Sequence, residues 1–298
     1  MKVANAPVSW GVLEFGFKES PPGFAQVLDE IRDTGYQGTE LGDWGYLPTD
    51  PERLSVELAS RSLELLAAFV PVRLADPRAH DAGEAHALRV SGLLKAVAGP
   101  AALVILSDDN ASVELRAANA GRIRPEHGLV HDQWKVFAGG AERIARSVLD
   151  ATGLRAAFHH HCGGYVETPA ELGTLMKLTD PDLLGLCLDT GHYRFGGGDP
   201  VEAVSRYAER IWHVHFKDCD PEVAANSRSQ GWEYLESVRR GVFCELGQGE
   251  VDFPKVVDAL QQEGYQGWIV VEQDVLPGMG APRESAARNR VYLKSLGL

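Results

Sequence analysis

The chain has 298 residues, with 29 Lys and Arg against 42 Asp and Glu, a formal net charge of −13. Hydrophobic residues make up 44% and charged residues 24%, a globular balance that excludes a disordered or fibrous chain. The acidic excess argues against gripping nucleic acid phosphates, which takes clustered Lys and Arg, and no run approaches the roughly 18 apolar residues of a membrane span. The opening MKVANAPVSWG lacks the apolar core and cleavage site of a signal peptide. Cys162, Cys187, Cys219 and Cys244 are widely spaced, with no Cys-x-x-Cys. They read as reduced thiols in a cytoplasmic protein.

Apolar runs and amphipathic stretches alternate along the chain. Lys2–Val8, Gly38–Leu41, Leu63–Val72, Ala102–Ser107, Arg155–His161, Leu184–Asp189, Ile211–His215 and Trp268–Glu272 read as eight strands. Several are apolar on both faces, as a sheet covered on both sides requires. Helical spacing predicts helices at Phe24–Thr34, Leu54–Ser62, Ala85–Val97, Asp132–Ala151, Ala170–Leu178, Val201–Glu209, Phe253–Glu263 and Ala286–Leu296. Thr168-Pro169-Ala170-Glu171 and Asp199-Pro200-Val201-Glu202 each combine a cap residue, a first-turn Pro and a Glu three after the cap. Gly35, Gly153 and Gly264 mark helix ends. This alternation predicts an α/β fold, a single (β/α)8 TIM barrel domain over residues 1–298. No Gly-x-Gly-x-x-Gly follows the first strand, which weakens a dinucleotide-binding doubly wound sheet. The long connections Asp108–His131 and Cys219–Asp252 both follow strands and are expected over the C-terminal mouth.

The strand ends collect the chemistry. The fifth ends in Phe158-His159-His160-His161 and the sixth in Leu186-Cys187-Leu188-Asp189-Thr190-Gly191-His192. The seventh holds His213-Val214-His215-Phe216-Lys217-Asp218, and the eighth ends in Val270-Val271-Glu272-Gln273-Asp274. Side chains alternate along a strand, so His159 shares a face with His161, and His213 with His215 and Lys217. With those faces inward, His159 or His161 converges with Asp189, His215 and Glu272. Two imidazoles and two carboxylates suit Mn²⁺, Co²⁺, Zn²⁺ or Fe²⁺ better than a thiolate-seeking ion. His160 has the opposite parity and is expected outside the mouth.

Other polar residues are candidates for substrate. Glu40 ends the second strand and offers a base, a hydroxyl partner or a counter-ion to a nearby Lys or Arg. Lys217 offers a proton to a carbonyl or leaving oxygen. His192, three residues after Asp189, is expected beside the same ligand. Trp10, Trp44 and Tyr46 read as packing residues, with a pocket wall as the alternative. The Gly-rich stretch Leu246–Asp252 lacks a phosphate loop's Lys-Ser/Thr and is expected to approach the site closely.

In FHHH, CLDTGH, HVHFKD, LGQGEVDF and VVEQD the chain resembles the xylose isomerase-like TIM barrel superfamily. NAPVSWGVLEFG, GTELGDWGYLPTD and FHHHCGGYVET narrow the resemblance to its inosose dehydratase family. That family removes water from 2-keto-myo-inositol with Mn²⁺ or Co²⁺. The resemblance implies a hydro-lyase acting on a small polyhydroxylated ketone, with Mg²⁺ or Zn²⁺ as further options for the metal. It carries metal ligation to Asp189, His215 and Glu272, and substrate contact to His192 and Lys217. Related members place Glu at the fifth-strand ligand position, where this chain has His159, so it stays open whether His159 ligates, His161 ligates, or three protein ligands and more water hold the metal. It also implies that Glu40 or His161 takes an α-proton, and that Lys217 or His192 protonates the departing hydroxyl. A keto-sugar isomerase or 3-epimerase would share the metal and the enediolate step but lose no water. No nucleic acid or membrane partner is expected; a homo-oligomer through the barrel helices is compatible.

Overall fold

The computed structural model describes residues 1–12, 22–110, 112–276 and 278–298. Residues 13–16, inside the NAPVSWGVLEFG segment, lie outside these. The strands are β1 Lys2–Asn5, β2 Gly38–Thr39, β3 (Glu64–Leu65 and Ala67–Val72), β4 Leu103–Asp108, β5 Arg155–His159, β6 Leu184–Asp189, β7 Ile211–Phe216 and β8 Trp268–Val271. Neighbours pair in parallel, and β8 pairs with β1, Val270 beside Ala4. β3 closes the ring, with Glu64–Leu65 on β2 and Ala67–Val72 on β4. Between them, Leu66 N–H donates to Thr39 O at 3.0 Å. This is the expected TIM barrel.

The surrounding helices are α1 Phe24–Asp33, α2 Pro51–Ala59, α3 His80–Val97, α4 His131–Thr152, α5 Pro169–Leu178, α6 Pro200–Tyr207, α7 Phe253–Gln262 and α8 Pro282–Ser295. Both cap-and-Pro signals work as read: Thr168 accepts from Glu171 N, and Asp199 from Val201 N. Alternation along the strands divides the core. Ala4, Ala67, Ile105, Ala157, Cys187 and Val270 fill the barrel interior. Val3, Val104, Phe158, Leu188, Val214 and Val271 pack outward under the helices. Each fully buried aliphatic side chain contributes roughly 1.5–3 kcal/mol of transfer free energy.

The departures are local. β1 stops at Asn5 because Pro7 has no N–H to continue the ladder; Pro7–Trp10 turns as a 3-10 helix ended by Gly11 at φ 79°. The β6–β7 register shifts between Leu186 and Cys187, so Leu186 faces Ile211 while Cys187 faces His213. Trp212 is the extra residue of this bulge. The shift sets Asp189 beside His215 with both side chains inward. The connection after β7 holds two further helices, Pro221–Gln230 and Tyr234–Arg239. Asp220-Pro221 carries the same cap-and-Pro signal, and Asp220 accepts from Glu222 N and Val223 N. The two long connections lock together over the mouth, where Arg122 donates to Trp232 O at 2.7 Å and Arg228 to Gly121 O at 2.9 Å. No helix among the described residues is long and apolar enough to cross a membrane.

Candidate metal centre and active site

Barrel closure brings the ends of β5 to β8 around one point. One ligand atom from each of His159, Asp189, His215 and Glu272 lies within 4.8 Å of the others. His159 Nε2 is 3.6 Å from Asp189 Oδ2, and His215 Nδ1 is 3.3 Å from Glu272 Oε2 and 3.9 Å from Asp189 Oδ2. Two ligands each about 2.0–2.2 Å from one ion lie about 3–4.4 Å apart, so the spacing fits. All four residues are buried. Among the described residues, His159 Nε2, Asp189 Oδ2 and His215 Nδ1 have no hydrogen-bond partner. Buried polar atoms are rarely left so, and the donor set fits a divalent cation.

In Asp189 and His215 the second polar atom is tied down. Asp189 caps the short helix Thr190–Phe195, its Oδ1 accepting from His192 N at 2.8 Å, which leaves Oδ2 for a ligand. His215 Nε2 donates to Glu40 Oε1 at 3.0 Å, and His213 Nε2 donates to the same oxygen at 2.7 Å. With its proton at Nε2, His215 turns Nδ1 toward two carboxylates. Burial opposes further protonation of His215, but Cys187, Glu272 and Glu40 outweigh it and hold its pKa above the ordinary value. The second proton would sit on Nδ1, the atom that ligation uses. Cys187, one layer down, stays a thiol because burial pushes it up to about 12.

Lys217 lies beside the cluster. Its Nζ is 2.6 Å from Asp274 Oδ1, 3.3 Å from Glu272 Oε2, 3.5 Å from Asp189 Oδ2 and 3.0 Å from His192 Nε2. Burial opposes its charge, but Asp189, Asp274 and Glu272 prevail and hold the ammonium above its ordinary pKa. Asp274 also accepts from Tyr234 OH at 2.8 Å. A Cβ on Gly191 would fall 2.6 Å from Lys217 Cγ, so the lysine stem needs a glycine there. A cavity opens above, with His159, His161, His215, Lys217, Glu272 and Asp274 on its floor and wall.

Residues 28–296 match the model of the Xylose isomerase-like TIM barrel family. The chain belongs to this family. It is 32% identical over 294 residues to an inosose dehydratase of Lacticaseibacillus casei, covering 98% of this chain and 96% of that one. Two solved structures share the fold. The probable 3-DHS dehydratase AsbF of Bacillus anthracis has a TM-score of 0.72 at 14% identity, covering 99% of both chains. An IOLI protein solved with a zinc atom has a TM-score of 0.71 at 15% identity, covering 99% of this chain and 98% of that one.

This xylose isomerase-like barrel sorts the residues that its sequence offered. His159 joins the four-residue cluster, whereas His161 groups with His192 and Asp274. His161 Nδ1 donates to Cys162 O at 2.6 Å. His160 is outside the mouth as expected, and its Nε2 accepts from Asp189 N at 3.2 Å. Glu40 is paired, but with His213 and His215 rather than with a Lys or Arg. The helix starting at Thr190 curls His192 behind Lys217, fully buried and off the cavity wall, where its Nδ1 accepts from Cys162 N. The Gly-rich loop departs from expectation. Gly247, Gly249 and Val251 N–H groups wrap the Asp218 carboxylate at 2.8–3.0 Å instead of lining the cavity. Trp10 donates to Glu30, while Trp44 and Tyr46 pack on the core. Asp274, Tyr234 and His213 carry site geometry that pattern reading left unassigned. For Asp274 and His213, the period-2 step from Glu272 and His215 was the available signal.

Proposed function

We propose that this chain is a divalent-metal-dependent hydro-lyase that removes water from a keto-inositol such as 2-keto-myo-inositol, leaving a cyclic dione. One observation carries the reading. Buried His159 Nε2, Asp189 Oδ2 and His215 Nδ1, without a hydrogen bond among the described residues, meet Glu272 below a cavity, with a lysine ammonium beside them. The likeness to inosose dehydratases over nearly the full chain supports the substrate class. In this reading His159, Asp189, His215 and Glu272 hold Mn²⁺ or Co²⁺, ions suited to mixed nitrogen and oxygen ligands. We place the enzyme in the cytoplasm, in keeping with its free cysteines.

A bound divalent ion supplies Lewis acidity to a ketone oxygen and its neighbouring hydroxyl. The proton transfers fall to side chains. His161 lines the cavity, and its proton on Nδ1 leaves Nε2 as an acceptor, 3.4 Å from Tyr234 OH. Burial first, then His159 and Lys217, hold it neutral. It takes the proton from the carbon beside the ketone. The C–O bond one carbon further breaks, and the hydroxyl leaves as water with a proton from Lys217 Nζ. The enol that remains rearranges to the dione. Each such transfer is worth about 10²–10⁴-fold. Glu40 acts through His215, and His192 acts through Lys217. The test is mass spectrometry of 2-keto-myo-inositol incubated with the Mn²⁺- or Co²⁺-loaded protein. A product lighter by one water supports the lyase; a product of unchanged mass transfers the site to a keto-sugar isomerase or epimerase.

A further inference from the structure

Two residues on the cavity wall carry side-chain oxygens with no partner among the described residues. Asp43 follows β2 and Asn110 follows β4, on the half of the mouth opposite the ligand-bearing β5–β8. Both line the same cavity as the metal cluster. Asn110 is 7% exposed, and its Oδ1 is buried without a hydrogen bond. The Asp43 carboxylate makes no hydrogen bond or ion pair with a described residue. Burial raises its pKa to about 6, as expected of a carboxyl with no compensating donor. Unpaired acceptors in a part-buried wall are costly unless a ligand brings donors.

The charge of the wall narrows the ligand. Among the described lining residues, Glu40, Asp43, Glu272 and Asp274 stand against one lysine, Lys217, and no arginine. On the half of the mouth away from the cation site, a ring acid or sugar phosphate meets the like charge of Asp43. A neutral polyol offers hydroxyl donors to both free acceptors, and the ring of Phe69, between them on β3, offers an apolar surface to its C–H groups.

We infer that Asp43 and Asn110 form a specificity subsite that hydrogen-bonds hydroxyls of an uncharged cyclic polyol ketone on the side away from its reacting carbons. This rests on the hydro-lyase reading above. It adds the residues that choose among ketones which could all reach the same ion.

The test uses full-length Mn²⁺-loaded protein and the variants Asp43→Ala, Asn110→Ala and Asp43→Asn. Bound Mn²⁺, kcat and KM are measured with 2-keto-myo-inositol and with an analogue lacking one hydroxyl remote from the ketone. Each alanine is expected to raise KM at least about tenfold. The change in kcat should be smaller, Mn²⁺ content should stay at the wild-type level, and the preference for the fully hydroxylated ketone should shrink. Asp43→Asn, which keeps an acceptor, should recover part of the loss. Unchanged KM and preference in both alanine variants overturn the subsite. Loss of Mn²⁺ also overturns it, by making the two residues scaffold for the metal cluster. If the wild type forms no dione, calorimetry with myo-inositol separates the two readings. Affinity lost in both alanine variants keeps the subsite while the lyase reading falls, and equal affinity in all proteins overturns the subsite.

Discussion

His215 Nε2 donates across the barrel to Glu40 Oε1 at 3.0 Å, from β7 to the end of β2. This bond selects which ring nitrogen of His215 faces Asp189 and Glu272. Partners of this kind typically change metal affinity 10–100-fold. Glu40→Gln is therefore expected to weaken Mn²⁺ binding by roughly 10–100-fold with circular dichroism unchanged. A metal titration at wild-type affinity would remove Glu40 from this role.

The two oxygens of Asp189 have separate duties. Oδ1 caps the helix Thr190–Phe195, and Oδ2 faces the cluster. Asp189→Asn keeps a capping oxygen but loses the charge, so it should lose bound metal and turnover while keeping the cap. Asp189→Ala should lose both and also about 0.5–2 kcal/mol of stability through the cap. Metal analysis and urea unfolding of the two variants check this; equal stability of the pair would count against the cap.

Lys217→Met fills similar space without a proton to give. It is expected to keep the metal and to lower kcat by at least about 10². Metal stoichiometry and steady-state kinetics check it, and an unchanged kcat would take Lys217 out of the mechanism.

Much of this was legible in the chain. The strands fall where short apolar runs end in His, Asp or Glu, and parity alone put His160 outside and His159, His215 and Lys217 inside. What parity leaves out is depth and the view across the barrel. Glu40 and His213 are 173 residues apart, and their 2.7 Å contact depends on ring closure and on the bulge at Trp212. Neither leaves a periodic trace. The place of His192 is set in a related way. Three residues after Asp189 it is expected beside the same ligand, and the aspartate caps a helix that sets the imidazole against Lys217.

Asp43 gives the protein a pH signature. Burial raises its carboxyl from 3.8 to about 6, so the folded state favours the protonated form. Its contribution to stability is full below about pH 4 and is lost as pH rises through about 6. Asp43→Asn cannot ionise. In metal-free protein this variant should gain on the wild type between about pH 4 and 6 and hold a level lead above that. Melting temperatures of the pair across this window check it; a constant gap would contradict it.

The most direct measurement strips the protein with EDTA, verifies the loss by elemental analysis, and follows water loss from 2-keto-myo-inositol before and after adding Mn²⁺ or Co²⁺. The stripped protein is expected to form no dione and the reloaded protein to recover. Undiminished dione formation by verified metal-free protein would contradict a catalytic ion held by His159, Asp189, His215 and Glu272.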